Sequence, residues 1–274
     1  MCSIAQSVPE VLNFRQLTAS GGLDLPKVSG YDTLLHAAAV AERTVGSMKT
    51  LEEWLRAHPV FGSLEEQERD FFVAQSLARE LQKGQALALQ GDVWPCLFLV
   101  GKGQIDAAKA SSEGRSLLIT TFGAGELFWG PAFFQEGAPL PATLEARART
   151  RVYLWSRQNI ESLLLAHGSV MWELCRLMVQ RMQRASAMVE ELAFQPVAGR
   201  LARLLVGFSA GRQEEPIPRS LTLDEIAART GTTREVACRF LHRFADEGLI
   251  DITRSEFVVH DQRRLEELAR QVKG

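Results

Sequence analysis

The sequence predicts an α+β fold that consists of a small antiparallel β-roll, one long helix and a winged helix-turn-helix, in that order. Three patterns indicate it. Between about residues 78 and 155, short apolar runs alternate with glycine-containing turns, as in a small antiparallel sandwich or roll. Residues 170–194 contain neither proline nor glycine and carry a heptad repeat of apolar side chains. Residues 221–244 contain two short helical patterns on either side of Gly231.

The roll is expected to lie between helices. The strand-forming runs LFLV, LLITTF and VYLW are rich in β-branched and aromatic residues, and the turns GKGQ and GAGE follow the first two. Two helical patterns begin at Lys49 and precede the strands, and NIESLLLAH after the last strand predicts a short helix. These elements together predict one compact domain from residue 49 to residue 168.

Two threonines begin the helices of the predicted helix-turn-helix. Thr222 is followed three residues later by Glu225, and Thr232 is followed three residues later by Glu235. In each pair the hydroxyl can accept from a first-turn amide while the carboxylate accepts from the threonine amide. Gly231 lies between the helices, where a left-handed backbone costs glycine little.

The exposed side of the second helix carries residues that suit double-stranded DNA. Arginine matches the acceptors of guanine and of phosphate, and glutamate can accept from the cytosine amino group. Between Arg229 and Arg243 there are four arginines and one glutamate, although the whole chain has a formal net charge of −2. An ordinary solvated helix face is the alternative, but the caps, the turn and the basic side together favour DNA binding. The candidate DNA-binding residues are Thr232, Thr233, Arg234, Glu235, Arg239, His242 and Arg243.

The long helix carries an apolar seam that suits pairing with a second copy of the chain. The apolar residues recur at spacings of four and three, which is the pattern of a two-stranded coiled coil, and the other faces are polar. Because the other faces are polar, we expect a homodimer with a soft, methionine-rich interface. Packing of the stripe against its own domain is the alternative. The predicted seam consists of Met171, Cys175, Met178, Met182, Ala185, Val189 and Leu192.

Composition and short motifs argue against several classes of function. The chain has 274 residues, 46% hydrophobic and 23% charged, as in an ordinary globular protein. Its four cysteines are scattered, and it has neither a signal peptide nor an apolar run of about 20 residues. We therefore expect a cytoplasmic protein with no membrane partner. No P-loop, GxSxG or HExxH motif and no metal-ligand spacing occurs, which argues against an enzyme and against a metal site.

The two ends of the chain show weaker patterns. Residues 1–48 form an extension in which Asp32 can cap one alanine-rich helix, LLHAAAVAERTVG, and its role is left open. Near the other end, ADEGLIDITRSEFVVHD predicts a turn and a two-stranded hairpin, the wing, with Arg254 at its tip. RRLEELARQV predicts a last helix.

Five motifs carry a resemblance to a known family. They are QGD at residues 90–92, GR at 114–115, FGAGEL at 122–127, EARARTRV at 145–152 and LTLDEIAARTGTTREVACRFL at 221–241. In this order they resemble the family of the cyclic-AMP receptor protein and the fumarate-nitrate-reduction regulator, the CRP/FNR family, over roughly residues 50–268. The resemblance implies a cyclic-nucleotide-binding-like β-roll, a jelly roll. It divides the chain into an N-terminal extension (1–48), an effector-sensing roll domain (49–168), a dimerisation helix (169–194) and a DNA-binding winged helix-turn-helix (195–274).

The same resemblance implies a bacterial-type transcription regulator, usually a homodimer on a palindromic operator. An effector bound to the roll would alter how the two recognition helices are presented. Arg234, Glu235 and Arg239 match the RExxxR pattern of the cyclic-AMP receptor branch and imply TGTGA-like half-sites. The other branch has serine immediately before the last arginine, where this chain has Cys238. RNA polymerase is a further candidate partner of such an activator.

The expected effector site departs from the pattern of the cyclic-AMP binders. In those proteins an arginine-serine pair after GEL holds the phosphate, whereas this chain has Leu140 and Pro141 at the matching positions. Neither side chain can donate to a phosphate, so a bound cyclic nucleotide would bury an unpaired charge, and cyclic AMP is disfavoured. The candidate effector pocket consists of Gly125, Glu126, Leu127, Trp129, Phe133, Phe134, Ala142 and Thr143.

The aromatic residues of this pocket leave alternatives open. Trp129, Phe133 and Phe134 are either ordinary core residues or the lining of a cavity for an apolar effector or haem. A regulator that needs no ligand, with the roll as a scaffold, is a further alternative. A protein-interaction module without DNA binding is the alternative from another class.

Haem would need an axial ligand that the roll sequence supplies poorly. Haem-sensing relatives use cysteine or histidine beside this loop, and residues 97–166 contain neither. Cys96 is left, together with groups of the extension such as Cys2 and His36. An iron-sulfur cluster needs several thiolates, and Cys2 has no second cysteine near it in the sequence.

Overall fold

The computed structural model describes residues 49–111, 115–209, 215–218, 221–253 and 255–271. The predicted extension with its helix, Gly114 of the GR motif and Arg254 at the wing tip lie outside these residues. The predicted α+β fold is confirmed: two four-stranded antiparallel sheets, a long helix and a winged helix-turn-helix follow one another along the chain.

Eight strands form the roll. They are β1 (Leu77–Leu81), β2 (Ala86–Ala88), β3 (Cys96–Lys102), β4 (Gln104–Ala110), β5 (Ser116–Gly123), β6 (Leu127–Trp129), β7 (Thr143–Ala146) and β8 (Thr150–Ser156). Antiparallel pairing arranges them in two sheets with the orders β1-β8-β3-β6 and β2-β7-β4-β5. The inner faces form the roll core, with Phe98 and Val152 from the first sheet and Ile105 and Leu144 from the second.

Helices cover the outer face of the first sheet. They are α1 (Leu51–Ala57), α2 (Glu66–Ala74) and α3 (Arg157–Ala166). Because successive side chains of a strand point to opposite faces, Leu97 and Leu99 of β3 pack under these helices while Phe98 points into the roll core. Trp155 joins the two layers, since its Nε1 donates to the Phe72 carbonyl at 2.7 Å.

One long helix leads out of the roll. α4 (Gly168–Phe194) has 27 residues, and Val170 and Leu174 in its first turns are its buried residues. It begins two residues before the predicted start at residue 170, and it ends where expected. None of the helices described here combines the length and the apolarity needed to cross a membrane.

The remaining elements form the winged helix-turn-helix. They are α5 (Val197–Ser209), β9 (Ile217–Pro218), α6 (Leu223–Thr230), α7 (Arg234–Asp246), β10 (Ile250–Ile252), β11 (Glu256–Val259) and α8 (Gln262–Ala269). β9 pairs with β11, so the sheet has the order β10-β11-β9 and three strands instead of the predicted two. α6 packs against β5 and brings this unit into contact with the roll.

The two predicted helix starts have different outcomes. The capping box of α6 is confirmed: Thr222 Oγ1 accepts from the Glu225 amide at 3.2 Å, and the Glu225 carboxylate accepts from the Thr222 amide at 2.6 Å. The box predicted for Thr232 is wrong, because α7 is capped one residue later by Thr233. The Thr232 amide is used instead to close α6, at 3.0 Å from the Ala227 carbonyl.

Candidate functional site

α7 presents a polar face to solvent and an apolar face to its own domain. Ala237, Leu241 and Phe244 are buried in the core of the winged helix-turn-helix. Five of the candidate DNA-binding residues lie on the other side of the helix and are exposed, while Thr232 and Thr233 are half-buried at the turn. The exposed residues are Arg234, Glu235, Arg239, His242 and Arg243.

Exposed arginines of α7 pair with other exposed side chains. Arg234 Nη1 lies 3.0 Å from Asp224 Oδ2, and Arg243 Nε lies 2.6 Å from Glu247 Oε1. Exposed pairs contribute at most about 1 kcal/mol, so a phosphate or a base can replace either carboxylate. The pKa of Glu235 is lowered by hydrogen bonds from its own backbone amide and the Thr233 hydroxyl. Glu235 therefore stays charged and able to accept.

One arginine of the basic stretch faces away from this surface. Arg229, which the sequence places with the arginines around α7, is only 4% exposed and lies 3.7 Å from Asp106 of β4. The exposed basic face is therefore formed by Arg234, Arg239 and Arg243. A count of charges along the sequence overstates this face because it ignores the direction of each side chain.

The turn before α7 is held by a buried arginine that the sequence patterns did not identify. Arg200 of α5 donates from Nε to the Thr230 carbonyl at 2.8 Å and from Nη2 to the Gly231 carbonyl at 3.3 Å. Its Nη1 donates to the Gln195 carbonyl at 2.7 Å, just beyond the end of α4. Burial lowers the pKa of Arg200. A charged residue within the apolar pattern VAGRLARLLVGF is the signal that could have found it.

Most of the predicted seam on α4 is exposed in the single chain. The exposed members are Cys175, Met178, Met182, Ala185 and Val189, and Leu192 is half-buried. Met171 differs, because it packs against the core of its own roll domain, where the first turns of α4 lie. Trp172 and Val179 lie beside the seam and are exposed, so they widen the apolar stripe.

The GEL motif forms a tight turn whose carboxylate is engaged within the turn itself. Gly125 has a φ of +86°, and the Trp54 ring packs where a Cβ on Gly125 would lie, so both the backbone and the space require glycine. Glu126 Oε2 accepts from the Gly123 amide at 2.7 Å. Leu127 is buried under the helices of the roll domain. Of these three residues, Glu126 alone offers a polar side chain to a ligand.

The residues at the clamp positions belong to the roll core and its edge. Leu140 is 2% exposed and packs among the core side chains. Its backbone is held by the QGD loop, with Leu140 N to Asp92 O at 2.8 Å and Gly91 N to Leu140 O at 3.0 Å. Ala142 is also buried in the core, and Thr143 Oγ1 accepts from the Gln90 amide at 3.2 Å. The clamp position at Leu140 therefore holds a buried apolar side chain.

The predicted aromatic lining divides between core and surface. Trp129 and Phe133 are buried in the cluster under the helices, whereas Phe134 is 43% exposed. The Trp129 and Phe134 rings meet edge to face, with centroids 5.7 Å apart. Phe134 is thus the member of the predicted pocket whose ring a ligand can reach directly.

Arg181 of α4 lies against this aromatic region and was not predicted for it. Its guanidinium carbon is 4.5 Å from the centroid of Trp129, with Phe122 and Phe128 at 5.3 and 5.8 Å, and it donates to the Leu127 carbonyl. Burial lowers its pKa to about 10. Among the described residues it forms no ion pair. The sequence pattern shows Arg181 only as a charged residue outside the apolar seam of the long helix, so it gave no sign of this contact.

Two family models match the chain. The model described as a Crp-like helix-turn-helix domain matches residues 199–268, and the model described as a cyclic nucleotide-binding domain matches residues 78–167. Together they cover more than half of the chain. The chain belongs to the CRP/FNR family of transcription regulators.

Members of the CRP/FNR family are similar to this chain over most of their own length. The cyclic AMP receptor protein of Thermus thermophilus is 26% identical over 215 residues, which is 78% of this chain and 98% of that protein. The cAMP-activated global transcriptional regulator CRP of Haemophilus influenzae is 25% identical over 198 residues, which is 71% of this chain and 88% of that protein.

Solved structures of CRP/FNR proteins share the fold. A protein from Eubacterium rectale, described as a transcriptional regulator of this family, has a TM-score of 0.67 at 22% identity and covers 78% of this chain and 98% of its own. The c-di-GMP-responsive global regulator CLP of Xanthomonas campestris has a TM-score of 0.61 at 22% identity, with coverages of 72% and 99%. At these identities the likeness concerns the fold alone.

Within this CRP/FNR roll, Cys96 does not fit the role of a haem ligand. It lies in β3 inside the roll core, and burial raises the pKa of its thiol to about 12. The thiolate that would bind iron is therefore strongly disfavoured. Cys2 and His36, the other candidates, lie outside the described residues. Within the described ranges, no group of three or more His, Cys, Asp or Glu side chains could hold a metal ion.

Proposed function

We propose that this protein is a homodimeric, effector-responsive transcription regulator that binds a palindromic, TGTGA-like operator. In this proposal residues 49–168 sense the effector, residues 169–194 form the dimer and residues 195–274 bind DNA. The observation that carries it is the exposed, arginine-bearing face of α7, which the Gly231 turn and Arg200 hold in place. Such a regulator works in the cytoplasm, where the DNA is, and RNA polymerase is the partner that activation would need.

The exposed stripe on α4 supports the homodimer. The helix is about 40 Å long, and its apolar side chains beyond Leu174 are exposed or half-buried in the single chain. A continuous apolar stripe of this length marks an interaction surface. A second copy is the partner that fits, because a heptad seam pairs with itself in a two-stranded coiled coil. Two-fold symmetry would then present two α7 helices to successive major grooves, about 34 Å apart.

The first turns of α7 support the proposed half-site. Arg234 and Glu235 are adjacent and exposed, and Arg239 lies between one and two turns further along the same exposed side. Arginine can donate two hydrogen bonds to guanine, and a charged glutamate accepts from cytosine. The RExxxR pattern links these groups to TGTGA-like sequences through the resemblance described above. The later residues His242 and Arg243 would contact phosphates.

The effector that we propose is an apolar or aromatic molecule with an anionic group. Phe134 offers an accessible ring beside Trp129, and the Arg181 guanidinium lies over Trp129 without an ion-pair partner among the described residues. Glu126 is close enough to raise the pKa of Arg181, but burial outweighs it. An anionic group on the effector would therefore relieve a buried, uncompensated cation.

Cyclic AMP is expected not to bind. The proteins from T. thermophilus and H. influenzae are named for cyclic AMP, but here its phosphate would lie beside Leu140 with its charge unpaired, at a cost of several kcal/mol. Isothermal titration calorimetry should therefore show no binding below about 1 mM. The T. thermophilus protein, titrated in the same buffer, is the positive control. A micromolar dissociation constant for this chain would contradict the expectation.

A ligand-independent regulator is the second candidate. Side chains of the roll pack against one another in its core: the Phe98 and Phe128 rings stack with centroids 5.4 Å apart, Phe122 packs on Phe128, and Leu140 belongs to the same buried cluster. Native mass spectrometry of the purified protein separates the two candidates. A retained small molecule supports the effector-responsive regulator. A ligand-free protein that binds the operator-like duplex tightly supports the ligand-independent regulator.

Salt dependence tests whether DNA is the partner at all. Phosphate contacts release counterions, so the affinity for an operator-like duplex should fall by orders of magnitude between about 50 and 200 mM salt. Fluorescence anisotropy with a labelled duplex measures this slope. An affinity that does not change with salt, or no binding at 50 mM under any effector condition, would favour the protein-interaction module instead.

A further inference from the structure

The winged helix-turn-helix rests on the roll through a buried charged pair. α6 packs against β5, which is an edge strand of the second sheet. Arg229 in the last turn of α6 reaches across to Asp106 of β4, with 3.7 Å between Nη2 and Oδ2. Both side chains are largely buried. An ion pair therefore joins the half of the chain that reads DNA to the half that contains the roll.

The surroundings of Asp106 make it dependent on positive charge. Asp106 lies opposite Thr121 of β5, and the Thr121 hydroxyl donates to its Oδ1. Burial raises the pKa of Asp106, the hydrogen bond from Thr121 and the charge of Arg147 lower it, and Glu225 of α6 raises it further. Arg229 thus brings a cation to a carboxylate that burial makes costly to ionise.

The pair has imperfect geometry, so it adds little to the contact between the two units. A distance of 3.7 Å is longer than the ~2.7–2.9 Å of a charge-assisted hydrogen bond. Arg229 Nε is buried and has no hydrogen-bond partner among the described residues. Taking both charges out of water costs free energy that an attraction at this distance returns only in part. The net contribution of the pair is therefore small, but loss of either partner would leave the other charge buried without compensation and would favour opening.

We propose that the Asp106–Arg229 pair is an interdomain latch that holds the winged helix-turn-helix against the roll in an arrangement of low DNA affinity. Opening the latch releases α6 from β5 and frees Arg229. The DNA part of this proposal rests on the function proposed above, whereas the latch itself can be tested without DNA.

Two features of the latched arrangement disfavour DNA. In a helix-turn-helix the first helix crosses the phosphate backbone while the second enters the major groove. In this chain α6 is that first helix, and its Glu225 lies close to the roll carboxylate Asp106, which in turn lies close to Glu145. A phosphate strand that approached α6 would meet this negative charge, and Arg229 would be occupied. Release separates α6 from the two roll carboxylates and frees Arg229.

Asp106→Asn is the first test of the latch. Asparagine keeps the size of the side chain and an acceptor for the Thr121 hydroxyl but removes the charge that holds Arg229. Hydrogen–deuterium exchange of the full-length protein should then increase severalfold in β5 and in α6, because local opening exposes both elements. Asp70→Asn is the matched control, since it removes the same charge from the exposed face of α2 and should leave both elements unchanged.

Arg229→Gln tests the latch from its other side. It should increase exchange in the same two elements, and combining it with Asp106→Asn should add little, because both substitutions remove one interaction. Melting followed by circular dichroism shows whether each variant is folded. If Arg229→Gln does not fold, the comparison of Asp106→Asn with Asp70→Asn decides alone. Exchange that is unchanged in both elements overturns the latch.

The affinity for an operator-like duplex tests the low-affinity arrangement. Asp106→Asn should bind about three- to tenfold more tightly than the unsubstituted protein, because the apparent dissociation constant scales inversely with the competent fraction. Faster exchange accompanied by weaker DNA binding would overturn the low-affinity assignment. If no form of the protein binds any duplex, the proposed function fails, and the exchange experiment still decides the latch.

Discussion

Replacing Met182 with glutamate will separate the two protomers of the proposed homodimer. Met182 is 66% exposed in the single chain and lies in the middle of the α4 seam, so it faces the partner helix in the proposed dimer. A carboxylate there would be desolvated in the interface, and two-fold symmetry would place the carboxylate of the second protomer near it. The cost of several kcal/mol should raise the dimer dissociation constant more than about 100-fold. Sedimentation equilibrium measures it.

Gln183→Glu is the control for this substitution. Gln183 is exposed and lies about 100° around α4 from Met182, on an outer face of the proposed coiled coil. It adds the same charge and should leave the dimer intact. The monomeric Met182→Glu protein should also bind a palindromic duplex only as tightly as a single half-site. If it stays dimeric at the same concentration as Gln183→Glu, the seam is not the interface.

Arg234→Ala will remove most of the discrimination between a TGTGA-like duplex and a scrambled one. The Arg234 side chain is free to leave Asp224 for a base, because an exposed pair holds it only weakly. Losing one bidentate contact to guanine costs about 1–3 kcal/mol for the matched duplex and little for the scrambled one. Competition titrations in fluorescence anisotropy measure the ratio of the two affinities.

Two other arginines provide the controls for Arg234. Arg243→Ala removes a proposed phosphate contact and should weaken binding to both duplexes equally, with a smaller dependence on salt. Arg263→Ala removes the same charge from α8, where the side chain is exposed and pairs with Glu267, and should change neither affinity. Full discrimination by Arg234→Ala would assign base reading to another residue.

The elements that could be predicted are those whose pattern is local. The long helix α4, the capping box at Thr222 and the glycine turn at Gly231 depend on neighbouring residues, and the structure contains all three. The two-residue strand β9 has no such pattern, because it forms only by pairing with β11. The α7 cap was misplaced by one residue because the closing bond of α6 uses the Thr232 amide, and spacing alone does not reveal that use.

The site residues that were missed are arginines whose partners lie far away in sequence. Arg229 meets Asp106 of the roll, Arg181 meets three aromatic rings of the roll, and Arg200 meets the turn before α7. A helical pattern shows which face a side chain occupies but not what lies opposite that face. For the same reason the heptad includes Met171, which packs against the roll because α4 begins there.

Two arginines also link the end of α4 to the winged helix-turn-helix. Arg200 ties the end of α4 to the turn before α7, and Arg203 Nη1 lies 3.0 Å from Glu191 Oε1 of α4 while its Nη2 donates to the Ala269 carbonyl at 3.0 Å. These contacts link the last turn of α4 to the winged helix-turn-helix at two points. Rotation of the winged helix-turn-helix about the junction after Phe194 would break them, so we expect a change in the direction of α4 to be transmitted to α7.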